Sequence, residues 1–185
     1  MVYWDVVLLK FLSGLTLIGG IIIVLYFLDN LALKISGKMF LKGQWKYLKS
    51  RAMAFVFIVT LIATLGSLAF SELLHFTPCI LCWYQRIFMY PQLFISLLAL
   101  KRKDANILPY LVILSSIGAL IAGYHYYGQV VDTSSLPCSA IGYSPSCAEK
   151  FFFEFGYITI PMMALTAFLL VIMAYHLKRN FNISI

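Results

Sequence analysis

Five stretches of about twenty predominantly apolar residues, at 6–28, 52–70, 83–100, 107–127 and 157–177, set the terms on which this chain can fold. A helix of that length crosses the hydrocarbon of a bilayer with every backbone N–H and C=O bonded inside its own segment. Composition agrees: 62% of the 185 residues are hydrophobic, 11% are charged and the mean hydropathy is +0.91, too little polar surface for a water-soluble globule. The expectation is an all-α polytopic membrane protein, a four-helix transmembrane bundle plus one additional N-terminal transmembrane helix. Gln85, Arg86 and Pro91 interrupt the third stretch.

Charge orients the spans. Lys34, Lys38, Lys42, Lys46, Lys49 and Arg51 lie between the first two, Lys101 to Lys103 between the third and fourth, and Lys178 with Arg179 after the fifth. The intervening loops carry Glu72, Asp132, Glu149 and Glu154 against Lys150 alone, so the N-terminus is expected outside and the C-terminus inside. The net charge of +7 is then a topology signal facing membrane lipid, with no nucleic-acid partner implied. Asp5 before the first stretch and its spanning length argue for a retained helix over a cleaved signal. The lysines at intervals of four between Lys34 and Lys46 predict either a partly helical segment on the anionic inner leaflet or a solvated basic loop. A composition shift near Arg51 divides residues 1–51, an N-terminal helix and basic cytoplasmic linker, from a compact four-helix domain at 52–185.

Cys79 and Cys82 stand where an outer loop enters the third stretch. Pro78 suits the first position of a helix, which puts both cysteines in its first turn, where unpaired N–H groups and the helix dipole favour thiolate. Arg86 follows Cys82 by four residues, so the three form one stripe that can exchange electrons with a molecule just inside the bilayer. The alternatives are an inert disulfide with Arg86 reaching to the headgroups, or an all-cysteine zinc site; an outward, oxidising location favours disulfides.

The other two cysteines, Cys138 and Cys147, lie in a turn-rich outer loop at 128–156. Four cysteines permit three connectivities, with nearest-neighbour pairing the default, and the loop pair reads either as a staple or as a mobile exchange disulfide. His125 and Gln129, four residues apart, share a helical face, and at the depth of Arg86 the three are expected to line one pocket able to bond the carbonyl oxygens of a planar, lipid-soluble oxidant. They also fit an interfacial belt with Tyr124, Tyr126 and Tyr127.

The run T-P-C-I-L-C-W-Y-Q-R at 77–86, Y-H-Y-Y-G-Q at 124–129, P-C at Cys138, C-A-E at 147–149 and F-G-Y-I-T-I-P at 155–161 resemble DsbB-type disulfide bond formation proteins, most closely the BdbC-like branch. The resemblance covers about residues 52–177. It implies a multi-pass protein of the bacterial cell (inner) membrane, redox cysteines outside, passing electrons from a DsbA-like thioredoxin-fold thiol oxidase to ubiquinone or menaquinone. Cys138 would be attacked by the partner, with Cys147 as its disulfide mate. Cys82 would be the interchange thiol and Cys79 the quinone-proximal one, with Arg86, His125 and Gln129 at the quinone; Gln85 receives no role. Vitamin K epoxide reductase-like proteins place their loop pair before the C-x-x-C, the reverse of the order here. A membrane chaperone or assembly subunit with purely structural disulfides is the remaining class.

Overall fold

The computed structural model describes residues 3–131, 146–148 and 150–180. Cys138, together with Asp132 and Glu149, lies outside them. Among the described residues there are six helices: α1 (Tyr3–Ser36), α2 (Lys42–Ser50), α3 (Ala52–Glu72), α4 (Ile80–Arg102), α5 (Leu108–Val130) and α6 (Ile160–Asn180). Helices α3 to α6 form a ring in which α3 packs on α4, α4 on α5, α5 on α6 and α6 back on α3. The additional helix α1 lies outside the ring against α6.

Four helices are long and apolar enough to cross a membrane, namely α1, α3, α5 and α6. The fifth expected span, α4, is 23 residues long but less apolar than these four, and it carries its polar side chains inward. Gln92 donates from Nε2 to the Phe88 carbonyl at 2.8 Å and accepts from Ser115 Oγ of α5 at 2.9 Å, and Ser96 Oγ lies 3.1 Å from Thr60 Oγ1 of α3. The residues that lower the apolarity of α4 thus tie it to both neighbours. Pro91, inside the same helix, removes one ladder donor where such bonds offer compensation.

Close approach of α5 and α6 depends on Gly118, where a Cβ would collide with the ring of the fully buried Phe168. At the basic end, Asp29 of α1 accepts from the backbone N–H of Phe40 (2.7 Å) and Leu41 (3.2 Å) and from Trp45 Nε1 (2.8 Å). Those bonds fold the linker back after Gly37, whose φ of +67° ends α1, and they bury Trp45 while Lys42 and Lys46 of α2 stay exposed. The linker is therefore partly helical.

The last helix starts later than the apolar run. Glu154 and Ile158 pair backbone to backbone, with N–H···O distances of 3.0 and 2.8 Å, around Phe155 and Gly156 at positive φ, so residues 154–158 form a tight turn and α6 begins at Ile160.

Candidate functional site

A folded-back loop delivers Cys79 to the start of α4. The N–H of Phe76 reaches the Phe70 carbonyl at 2.9 Å, and the Phe76 ring stacks on Phe151 with centroids 4.7 Å apart. Cys79 is the N-cap residue in extended conformation, its carbonyl accepting from the N–H of Trp83 at 3.1 Å. Pro78 thus precedes the cap instead of opening the helix, and Cys82 alone occupies the first turn. Cys79 and Cys82 are free, their Sγ atoms hydrogen-bonded at 3.1 Å, whereas a disulfide needs about 2.05 Å.

The two sulfurs face different surroundings. Cys79 is buried, and its Sγ, the imidazole of His125 and the Sγ of Cys147 lie within 4.8 Å of one another. Cys147 is disulfide-bonded, which removes it as a thiolate ligand and leaves that trio without the donor set of a metal site. His125 is held from both sides. Gln85 Nε2 lies 3.1 Å from Nδ1, and Nε2 lies 3.0 Å from the Cys147 carbonyl and 3.7 Å from Cys79 Sγ. With Nδ1 accepting from the Gln85 amide, Nε2 carries the proton and directs it at the carbonyl and the sulfur. Gln129 Nε2 donates to the same carbonyl at 3.2 Å. The cleft between these groups has a free volume near 10 Å³, room for a single water at most.

Cys79 precedes α4 and lies outside the spanning segments, and its thiol is held down to about 4. The hydrogen bond with Cys82 is the main cause; burial opposes it, and the hydrogen bond with His125 assists it.

Cys82 also borders a larger cavity of about 270 Å³ between α1, α3, α4 and α6, lined mostly by apolar side chains. Arg86 is at the same end. It does not reach to the headgroups: Nε donates to Ser67 Oγ at 2.9 Å, Nη2 to the Ser67 carbonyl at 2.9 Å, and the guanidinium lies 5.1 Å from the centroid of Trp83. Tyr90 also donates to Ser67 Oγ, at 3.2 Å. Two hydrogen bonds to one residue fix the planar fork at a depth where an unpaired cation is costly.

The single pocket expected for Arg86, His125 and Gln129 is thereby corrected. Arg86 lines the larger cavity, while His125 and Gln129 line the small cleft with Cys79 and Cys147. Gln85 joins the two, because it borders the larger cavity and holds His125. Sequence reasoning passed over Gln85 and Ser67. Gln85 had a usable signal, since it lies one turn beyond Cys82 and beside Arg86 at the start of the helix; Ser67 had none.

A family model described as disulfide bond formation protein DsbB matches residues 49–178. The chain belongs to the DsbB family. It is 44% identical over 126 residues to the SPbeta prophage-derived disulfide bond formation protein B of Bacillus subtilis, covering 68% of this chain and 83% of that relative. It is 47% identical over 110 residues to a probable disulfide formation protein C of Bacillus cereus (60% and 78%), and 44% identical over 117 residues to disulfide bond formation protein C of Bacillus subtilis (62% and 83%). No solved structure matches. The DsbB family assignment makes this chain a disulfide-forming oxidoreductase, and the match begins at residue 49, so α1 lies outside it.

Proposed function

We propose that this protein is a five-span thiol:quinone oxidoreductase of the bacterial cell membrane that reoxidises an extracytoplasmic DsbA-like thioredoxin-fold protein. One observation carries the reading: both cysteines of a single C-x-x-C line the cleft that holds disulfide-bonded Cys147, with Cys79 Sγ next to it, and of the two only Cys82 also borders the apolar cavity that holds Arg86. That arrangement supports a relay in which Cys79 is the interchange thiol and Cys82 the one next to the electron acceptor, the reverse of the order first expected.

In the proposed cycle a partner thiolate attacks Cys138 of a Cys138–Cys147 disulfide, and Cys147 leaves as thiolate. Cys147 attacks Cys79 of the Cys79–Cys82 disulfide, and Cys82 leaves as thiolate beside Arg86. The second partner thiolate attacks the partner's own mixed-disulfide sulfur, releasing oxidised partner and the Cys138 thiolate. Cys138 then attacks Cys147, which re-forms the loop disulfide and leaves Cys79 and Cys82 as a dithiol. A bound quinone supplies the oxidant for this dithiol, taking up two electrons and two protons. The chain's own residues fit such a group, with an apolar cavity ending in the cationic fork of Arg86 and the amide of Gln85. Ser67 orients the fork; His125 directs its proton to the exchanging sulfur.

The decisive measurement traps the interchange. With Cys82 replaced by serine, the Cys147–Cys79 mixed disulfide is expected to accumulate on adding reduced partner; accumulation in Cys79→Ser through Cys82 would reverse the order, and unimpaired quinone-dependent turnover in both variants would sink the relay.

A further inference from the structure

The cavity next to Cys82 is drawn out along the helices. On α3 its lining runs from Phe70, near the cysteine end, to Phe55, fifteen residues and so roughly 22 Å of helical rise away. A volume of about 270 Å³ spread over that length is a slot about one chain wide, with Cys82, Gln85 and Arg86 at its outer end.

One wall of this slot is α1. Leu12, Leu15, Ile18 and Ile22 of α1 border it opposite α3. Two tight seats hold the helix there. A Cβ on Gly19 would stand 3.0 Å from Thr166 Cγ2 and 3.1 Å from Leu170 Cδ1, so α1 rests almost backbone-to-side-chain on α6; a Cβ on Gly66 of α3 would stand 3.3 Å from both Leu12 methyl carbons. Deeper than Leu12 the slot fills the space between α1 and α3. Its hydroxyls are already engaged: Thr16 Oγ1 donates to the Leu12 carbonyl and Thr166 Oγ1 to the Met162 carbonyl, both at 2.9 Å. Toward the inner end the wall is therefore hydrocarbon, and polar recognition is concentrated near Arg86.

We propose that α1 and α3 form a binding slot for the isoprenoid chain of the lipophilic acceptor, with Ile22 and Ile58 in contact with the chain. This rests on the reading that the Arg86 end takes the acceptor's ring. A ring alone needs only the outer end; an oxidant with a long apolar substituent uses the whole cavity. Helix α1 is then a specificity element that the family-matched part of the chain lacks.

The test uses the full chain in detergent and measures equilibrium binding, by quenching of tryptophan fluorescence, of a ring-only benzoquinone or naphthoquinone and of the same ring bearing two prenyl units. The native chain is expected to favour the prenylated form by about tenfold or more after correction for micelle partitioning. Ile22→Trp and Ile58→Trp, which fill the slot from opposite walls, should each reduce that preference to less than about twofold while leaving ring-only affinity unchanged, an internal check that the fold survives. Preference retained in both variants overturns the slot and leaves the groove to bilayer acyl chains. Loss of ring-only binding in both variants overturns the assignment of these residues to the chain. Arg86→Ala separates the two levels: ring-only affinity indifferent to it defeats the ring reading, and the slot with it, whereas sensitivity to it with unchanged prenyl preference in the tryptophan variants defeats the slot alone.

Discussion

Gln85 and His125 meet across the α4–α5 interface with 3.1 Å between Nε2 and Nδ1, and both are buried. This bond sets which imidazole nitrogen carries the proton facing Cys79. Replacing Gln85 with leucine leaves Nδ1 unpaired in a dry site, which costs about 1–3 kcal/mol, and the proton becomes free to move to the wrong nitrogen. The Cys147-to-Cys79 exchange is expected to slow roughly 5- to 150-fold, with its pH profile displaced, while binding of a ring quinone changes less. Rapid-quench alkylation would follow the exchange; an unaltered rate and profile would remove Gln85 from the relay.

Arg86→Lys tests whether geometry or charge matters at the cavity. Lysine keeps the cation but cannot present a planar fork to both Ser67 Oγ and the Ser67 carbonyl. The KM for quinone should rise roughly 10- to 100-fold, and the rate of partner exchange with the loop pair should stay as it was. Equal losses in both half-reactions would mean that Arg86 serves the fold.

The Cys79 thiol has a definite pH signature. Its pKa is held down to about 4, so the sulfur is thiolate above that pH and becomes protonated as the pH falls through it. A low pKa also makes Cys79 a fast leaving group when Cys138 reclaims Cys147. With Cys138 and Cys147 replaced by serine, thiolate absorbance of the reduced protein should titrate far below an ordinary thiol. Cys82→Ala, which removes the principal stabilising hydrogen bond, should move the midpoint upward, and Cys82→Ser, which retains a donor, should move it less.

The four-helix ring depends on Gly118. Gly118→Ala places a methyl in the ring of Phe168, and a core this tightly filled is expected to lose about 1–3 kcal/mol. Phe168→Leu in the same chain should return part of that loss, giving a non-additive double-mutant cycle in thermal unfolding. Additive effects would place the strain elsewhere.

Much of this architecture was legible in the sequence, for physical reasons that also explain the rest. Apolar run length gives helices, because a bilayer enforces it, and the spacing of Cys82 and Arg86 gives a shared stripe. Which cysteine borders the apolar cavity was not legible: residues three apart differ by only about 60° around a helix, so that placement rests on the rotation of α4 within the bundle. His125 and Gln129 line one cleft together, but Arg86 lines a different cavity, joined to that cleft through the Gln85–His125 bond, a placement set by packing. The polar residues of α4 lowered its apolarity and yet turned out to be its interhelical bonds. An apolar helix such as α1 bears no sequence mark of the neighbour it will cover.

Because α1 walls the cavity, truncation should separate two properties of the protein. Removing residues 1–50 takes away α1 and α2 but leaves every residue of the cysteine relay, together with Ser67, Gln85 and Arg86, in place. A truncated chain that inserts correctly is expected to exchange with its partner and to reduce a short, ring-only quinone at close to the native rate, as a separable redox domain should. Its advantage for prenylated quinone should fall, because one wall of the slot has gone. Relative turnover of the two quinones at matched partner concentration is the measure. Loss of partner exchange would show that residues 1–50 belong to the redox unit itself, and an undiminished prenyl preference would show that α3, α4 and α6 suffice for the chain.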